Sequence, residues 1–170
     1  LTCLNQSTAD VNLDNVTNVY NWNVSSASIL LLNLPFDINS SATAKDYSGN
    51  GNNATLAASP NNPVWNSSGR TGGAYTFNDN ESMNITKSST LNATYNFSIE
   101  FWYNPKDLDG GDNIILTNSP DLTVNNGEIF IEQASSSLST TLRNSGGSII
   151  ARTSSSVLTQ DVWQHIVIVE

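Results

Sequence analysis

The sequence predicts an all-β protein, a sandwich of two antiparallel sheets. Short runs rich in β-branched and aromatic residues alternate with clusters of Gly, Asn, Asp, Pro and Ser, which is typical of strands joined by turns. Residues 95–103 show the clearest period of two, with Phe97, Ile99 and Phe101 on one face. No window keeps a helical period, and no heptad or short repeat occurs, so the pattern argues against a helical fold.

The strand pattern begins at Ile29 and continues to the end of the chain. Asn-Asn-Gly at 125–127 and Gly-Gly at 146–147 predict hairpin turns. Trp102 and Trp163 are expected to fill the core. The last strand has apolar residues on both faces, which predicts that it is covered from two sides. The predicted strands are 29–36, 74–77, 82–86, 95–103, 114–117, 128–133, 139–143, 148–152 and 162–169.

Composition limits the classes of function. The 170 residues carry 6 Lys+Arg against 15 Asp+Glu, a net charge of −9. So few cations cannot neutralise a phosphate backbone, which excludes nucleic-acid binding. No apolar stretch approaches the roughly 18 residues of a membrane span. The length suits one domain with an arm, and we expect residues 1–27 to be the arm or linker and 28–170 the domain.

Sequons for N-glycosylation are concentrated in the first 98 residues. Ten occur there, against about five expected from the local Asn, Ser and Thr content, and none follows. An acceptor must lie on an accessible surface of an exported protein. The alternative is that an Asn-, Ser- and Thr-rich chain produces sequons by composition. The acceptors are Asn5, Asn15, Asn23, Asn39, Asn53, Asn66, Asn80, Asn84, Asn92 and Asn96.

The single cysteine, Cys3, cannot form an intramolecular disulfide within these residues. It is either a free thiol or the partner of a cysteine in another chain or beyond residue 170. The sequence leaves both alternatives open.

Five motifs follow one another in a familiar order. They are Leu32-Asn33-Leu34-Pro35-Phe36-Asp37, Asp46-Tyr47-Ser48-Gly49-Asn50-Gly51-Asn52, Gly69 to Phe77 (GRTGGAYTF), Phe97 to Pro105 (FSIEFWYNP) and Trp163-Gln164-His165-Ile166-Val167. The series resembles a laminin G-like domain, a concanavalin A-like jelly roll found in extracellular proteins. The Asn-rich style is similar to versions in archaeal and bacterial surface proteins. The glycines of the second and third motifs also predict positive φ angles and close backbone approach.

The resemblance has two implications. In that family His165 belongs to the fold signature, so we expect it to be a structural residue rather than a base. Family members also continue with several more strands after the Trp-x-His motif, so the domain is expected to be truncated at residue 170. The missing strands then come from a longer chain or, by β-augmentation, from another subunit.

Enzymatic chemistry has little support. Some glucan-cleaving enzymes of the same fold carry two Glu and an Asp on one strand, and Glu128 and Glu132 share a strand face here. Their α-carbons are about 13 Å apart on a straight strand, whereas retaining hydrolysis needs carboxyl groups about 5–5.5 Å apart. Phe130 stands between them, and no Gly-x-Ser-x-Gly motif occurs. We expect a non-enzymatic protein.

Calcium is the one cofactor that the sequence suggests. Asp107, Asp109 and Asp112 lie in a glycine-containing loop, and their oxygens suit a hard cation. A plain acidic hairpin loop is the alternative. Aromatic side chains that could stack on sugar rings are Trp22, Tyr47, Trp65 and Tyr75, of which Trp65 is better explained as a loop anchor.

Taken together, we expect a glycosylated, extracellular module of a microbial cell surface. The main hypothesis is a structural subunit of a surface or filamentous assembly, which associates with itself or with neighbouring surface chains. The alternative is a carbohydrate-binding or adhesion module, and a glycan hydrolase is a remote third hypothesis.

Overall fold

A computed structural model describes residues 8–12, 16, 18–91, 96–118, 129–144 and 148–170. The described residues contain antiparallel strands, one 3₁₀ turn at Ser89–Leu91 and no α-helix. The chain forms two compact units, Leu1–Phe97 and Ser98–Glu170. The predicted all-β class is confirmed.

The described residues of the first unit form three small sheets. The central one has the order β3-β4-β7, and two-stranded sheets pair β1 with β2 and β5 with β6. Ala54 and Leu56 are buried on one face of the central sheet, opposite Ile85 and Met83 of β7. The strands are β1 (Asn23–Val24), β2 (Ala27–Ser28), β3 (Thr43–Ala44), β4 (Ala54–Leu56), β5 (Val64–Asn66), β6 (Ala74–Thr76) and β7 (Met83–Ile85).

A buried carboxylate, that of Asp46, organises the loop between β3 and β4. Its Oδ1 accepts hydrogen bonds from the backbone N–H of Asn33 and Ser48, each at 2.9 Å. Its Oδ2 accepts from the Asn52 N–H at 2.8 Å and the Ser48 hydroxyl at 2.7 Å. Burial alone would raise the pKa of Asp46, but these donors outweigh it and hold the pKa below its ordinary value of 3.8. The Asp-Tyr-Ser-Gly-Asn-Gly-Asn motif is therefore a structural loop.

Three glycines behave as the sequence predicts. Gly49 and Gly51 have φ of 92° and 74°, which a residue with a side chain adopts only with strain. A Cβ at Gly73 would lie 2.5 Å from the Phe36 carbonyl oxygen and 2.6 Å from the Nε1 of Trp65. That same Nε1 donates to the Phe36 carbonyl at 2.8 Å. Trp65 is thus a loop anchor, and Gly73 makes room for it.

Two sheets are present in the described part of the second unit. Strands β12, β11, β10 and β9 are neighbours in that order in a four-stranded sheet, and β13 pairs with β8 in a two-stranded one. All of these pairings are antiparallel. The strands are β8 (Ser98–Tyr103), β9 (Asp112–Thr117), β10 (Ile129–Ala134), β11 (Ser137–Arg143), β12 (Ile149–Ser156) and β13 (Gln164–Val169).

The inner faces of these two sheets form the core of the second unit. Ile131 and Gln133 of β10 are almost fully buried, and Ile166 of β13 is buried. The Tyr103 hydroxyl donates to the side-chain oxygen of Gln133, whose amide donates to the Asp107 carbonyl at 2.6 Å. Burial raises the pKa of Tyr103. The hydrogen-bonded side chains of Tyr103 and Gln133 thus join the two sheets, and neither buried polar group lacks a partner.

Three sequence expectations about strands and core are wrong. Residues 29–36 form no strand, because loop side chains take their backbone groups: the Asn52 amide donates to the Leu31 carbonyl at 2.9 Å, and Asp46 accepts from the Asn33 N–H. Strand β13 is covered on one side only, since Val169 is 72% exposed. Trp102 is not a core residue, since it is 45% exposed.

Candidate functional site: the outer face of β8 and β13

The outer face of the two-stranded sheet carries the exposed aromatic cluster of the second unit. Along β8 the burial alternates strictly, with Ile99, Phe101 and Tyr103 partly buried and the residues between them exposed. In the register of the pair, Trp102 lies opposite His165 and Glu100 opposite Val167. The strand period of two therefore places all four side chains on the face that points away from the core. We call Glu100, Trp102, His165, Val167 and Val169 the aromatic face.

Trp102 and His165 form a stacked pair across the two strands. Their ring centroids are 4.9 Å apart and their planes 26° apart. The His165 Nε2 lies 3.7 Å from the Glu100 Oε2, with both side chains substantially exposed. An ordered indole with a carboxylate and an imidazole beside it combines a flat apolar surface with hydrogen-bonding groups, as ligand sites do.

The sequence contained the signal for this site. If Phe97, Ile99 and Phe101 face the core, then Ser98, Glu100 and Trp102 must face outward. Assigning Trp102 to the core from its size contradicted that alternation. The expected structural role of His165 is partly met, since its ring packs on Trp102, but its side chain is 44% exposed.

Among the four aromatic residues predicted as sugar-stacking candidates, only Trp22 is exposed, at 41%. Trp65 is anchored as described above. The Tyr75 hydroxyl donates to the Ser40 carbonyl at 3.0 Å, and its ring packs edge-on against Phe36. Tyr47 is partly buried beneath the amine of Lys45, which lies 4.8 Å from the ring centroid.

The residues considered for catalysis are only partly described. Glu132 points to the side of β10 opposite to Ile131 and Gln133, beside Ser139 of β11, and is half-buried. Glu128 lies outside the described residues. The separation of the two carboxyl groups therefore remains a sequence expectation.

The acidic loop does not bring together a metal centre in the described part of the chain. The Asp107 Oδ1 accepts from the Asp109 backbone N–H at 2.7 Å, and both side chains are exposed. The side chain of Asp112 is outside what the structure describes. Among the described residues, no group of three His, Cys, Asp or Glu is placed to hold a metal ion. Calcium binding by this loop stays a prediction.

The described glycosylation acceptors share one property, exposure to solvent. On β7, Asn84 faces away from Met83 and Ile85 and pairs with Thr55. Asn5, Asn15 and Asn92 lie outside the described residues, as does Cys3, for which a free thiol and an intermolecular disulfide stay open. The exposed acceptors are Asn23, Asn39, Asn53, Asn66, Asn80, Asn84 and Asn96.

No helix within the described ranges is long and apolar enough to cross a membrane.

Comparison with known proteins gives one match. The model of the Laminin_G_3 family, of the concanavalin A-like lectin/glucanases superfamily, matches residues 77–169, more than half of the chain. The match includes both strands of the aromatic face, while the earlier motifs at 32–37 and 46–52 lie outside it. No curated protein and no solved structure matches. Laminin G-like domains often bind glycans or proteins. The antiparallel strands, the FSIEFWYNP and Trp-x-His motifs and this match agree: the chain belongs to the laminin G-like family of the concanavalin A-like superfamily.

Proposed function

We propose that the chain is a non-enzymatic adhesion module of the cell surface that binds carbohydrate through the aromatic face. The observation that carries this proposal is the exposed stack of Trp102 on His165. An indole held flat against a second ring loses little conformational freedom when a sugar ring packs on it. Glu100 beside it supplies hydrogen-bond acceptors for sugar hydroxyls.

Binding to neutral hexasaccharides tests this proposal. The probes are cellohexaose, maltohexaose, mannohexaose and chitohexaose, titrated calorimetrically into the full chain. For the hexasaccharide that binds, we expect Trp102→Ala to weaken affinity about tenfold, corresponding to about 1.4 kcal/mol. Trp22→Ala is the comparison variant, because Trp22 is similarly exposed and was also predicted to stack on sugar rings, but lies in the first unit. Equal affinities for the two variants would remove the aromatic face from the proposal.

The absence of catalysis is part of the same proposal. Among the described residues, His165 makes no hydrogen bond to a serine or cysteine, and its nearest carboxylate is that of Glu100. A general base needs the proton it abstracts within hydrogen-bond reach. Release of reducing ends from the same hexasaccharides is the measurement. Turnover by the wild-type chain that Glu128→Gln or Glu132→Gln abolishes would contradict this part.

N-glycosylation and an extracellular location are supported by the sequons. The seven described acceptors are all exposed, as glycan attachment requires. The glycans would be attached to the first unit, because no sequon begins after Asn96.

A structural subunit is the second candidate function. Within the described residues, each strand of the β8–β13 sheet pairs with the other alone, and Val167 and Val169 are exposed on its outer face. Unpaired edges and exposed apolar residues are features that promote association with further strands. Electron microscopy of the purified chain distinguishes the two functions. Regular polymers favour an assembly subunit, and dispersed particles that bind hexasaccharide favour the adhesion module.

A further inference from the structure

A β-hairpin of the first unit points apolar side chains to solvent. In β1 and β2, Val24 lies opposite Ala27. The Ile29 N–H donates to the Trp22 carbonyl at 2.9 Å and adds a further row to the pairing. Residues that lie opposite each other in an antiparallel pair, and those two positions along, share one face. These four side chains are therefore on the same side of the hairpin.

The same face continues by one residue on each of the two segments. Exposed and half-buried residues alternate over 19–22 and over 28–32, as expected when one face is turned to solvent. We call the six outward residues the hairpin face: Tyr20, Trp22, Val24, Ala27, Ile29 and Leu31. Apart from the alanine, its members are 41–61% exposed.

The opposite side of the hairpin is fixed to the first unit. The Asn21 amide donates to the carbonyls of Tyr47 and Ser48, both at 3.2 Å. The Ser28 hydroxyl donates to the Asn21 side-chain oxygen at 3.1 Å. These contacts join the hairpin to the loop that the Asp46 carboxylate organises. The hairpin face is thus held in place before a partner binds, so little conformational freedom is lost on association.

The area of the hairpin face is large enough for an interface between two copies. The exposed fractions correspond to roughly 500 Å² on one chain, within the size range of patches that are often functional. Two such faces in contact would bury roughly 1,000 Å² in total, the lower limit for a specific protein–protein interface. A second copy therefore meets this limit, whereas a much smaller partner would leave part of the face in water.

The distribution of charge also favours a second copy. Residues 15–36 contain no Asp, Glu, Lys or Arg, although the chain carries a net charge of −9. Two copies of so acidic a chain repel each other where carboxylates face carboxylates. An uncharged hairpin lets two copies meet without placing charged groups of the hairpin against each other. A basic partner, by contrast, would be favoured by acidic groups on the face.

The side chains of the hairpin face decrease in size toward the turn. From the far end to the turn, the three rows are Tyr20 with Leu31, Trp22 with Ile29, and Val24 with Ala27. A two-fold axis through the middle row sets the large row of one copy against the small row of the other, so that the side chains of the two faces interdigitate. We propose that the hairpin face binds the same face of a second copy of this chain, with the two Ile29 side chains next to each other at the axis.

Sedimentation velocity of the full chain over a range of concentrations tests this proposal. The wild type is expected to shift from 18.3 kDa toward twice that mass as the concentration rises. Ile29→Asp places two carboxylates against each other at the axis and is expected to raise the dissociation constant of the dimer at least about tenfold. Because Ile29 is 58% exposed, the melting temperature of this variant should stay close to that of the wild type.

Val167→Asp is the matched control. Val167 is 53% exposed, but it lies on β13 of the second unit. This variant introduces the same charge at a similarly exposed aliphatic residue, and it is expected to dimerise like the wild type. The proposal does not depend on carbohydrate binding, because the hairpin face and the aromatic face belong to different units.

Opposite charges at the axis provide a second test. Ile29→Asp and Ile29→Lys should each be monomeric alone, whereas an equimolar mixture should form mixed dimers, because the facing charges then attract. A mixture that stays monomeric overturns the two-fold arrangement. A wild type that remains at 18.3 kDa at every concentration overturns the proposal, as does an Ile29→Asp variant that dimerises like the wild type. Loss of the dimer in Val167→Asp alone also overturns it and assigns the association to the aromatic face.

Discussion

Trp102 and His165 face each other across β8 and β13, with ring centroids 4.9 Å apart on the solvent side of the sheet. Directly behind them, Phe101 and Ile166 are paired in the same register and point into the core. The two pairs belong to the same two strands, one residue apart. Each strand thus contributes one residue to the interior and the next to the aromatic face, so the core and the candidate site are held by one set of backbone hydrogen bonds.

The Asp46 carboxylate is predicted to make the first unit sensitive to acid. The pKa of Asp46 is lower in the folded chain than its ordinary value of 3.8. Its contribution to the free energy of unfolding is therefore complete above pH 3.8 and is lost as the pH falls through the lower pKa of the folded state. Asp46→Asn should lower the free energy of unfolding by about 2 kcal/mol near neutral pH, since the amide keeps one acceptor oxygen but sets an NH2 group against the donors of the other. Urea unfolding between pH 2 and 7 measures this.

The control for Asp46 is Asp79→Asn, at an exposed carboxylate of the same unit. This variant should unfold like the wild type at every pH. An Asp46→Asn variant as stable as the wild type near pH 7 would contradict the structural role of the loop.

Close packing at Gly73 predicts a position-specific cost. Gly73→Ala places a methyl group within 2.6 Å of the Trp65 Nε1 and against the Phe36 carbonyl. The backbone must shift to accommodate the methyl group, which lowers the free energy of unfolding by about 1–3 kcal/mol. Gly111→Ala is the control, because a Cβ there meets nothing within 4 Å. Thermal melting of both variants tests this prediction, and equal melting temperatures would rule out the close approach of Gly73 to Trp65.

Truncation of a core isoleucine in the second unit should lower the free energy of unfolding far more than truncation of an exposed one. Ile131 is fully buried in β10, whereas Ile114 in the neighbouring β9 is 42% exposed. Ile131→Ala should destabilise by about 2–5 kcal/mol through lost burial and a cavity. Ile114→Ala should cost less than about 1 kcal/mol. Chemical denaturation measures both losses, and similar values for the two variants would contradict the difference in burial between these two faces of the sheet.

Glycan mapping should separate the two halves of the chain. On protein secreted from its natural host, peptides that contain Asn23, Asn53 or Asn84 should carry glycans, because these acceptors are exposed. Peptides from 99–170 should carry no N-glycan, since they contain no sequon. Mass spectrometry of the intact chain and of its peptides is the measurement. An intact mass equal to the polypeptide's 18.3 kDa would refute N-glycosylation.

Several elements were predictable because the local pattern alone fixes them. The period of two over 97–103 identified β8 and its inner face, and the glycines at 49, 51 and 73 indicated positive φ or close approach before any coordinates. Strands β3, β4 and β5 were missed, since two or three residues are too few to show a period. Residues 29–36 have a strand composition, yet the amides of Asn50 and Asn52 occupy the carbonyls that a ladder would need.

The sequence by itself determined the strand class, the chain's charge and the sequons, because these depend on residue identity and on neighbours along the chain. Tertiary structure decided which face of each strand meets another layer. It left Val169 in solvent although the last four residues of its strand are all apolar, and it buried Ser139 without a partner although serine is polar. The reason is physical: alternation defines two faces of a strand, but only the sheets packed around it determine whether each face is buried.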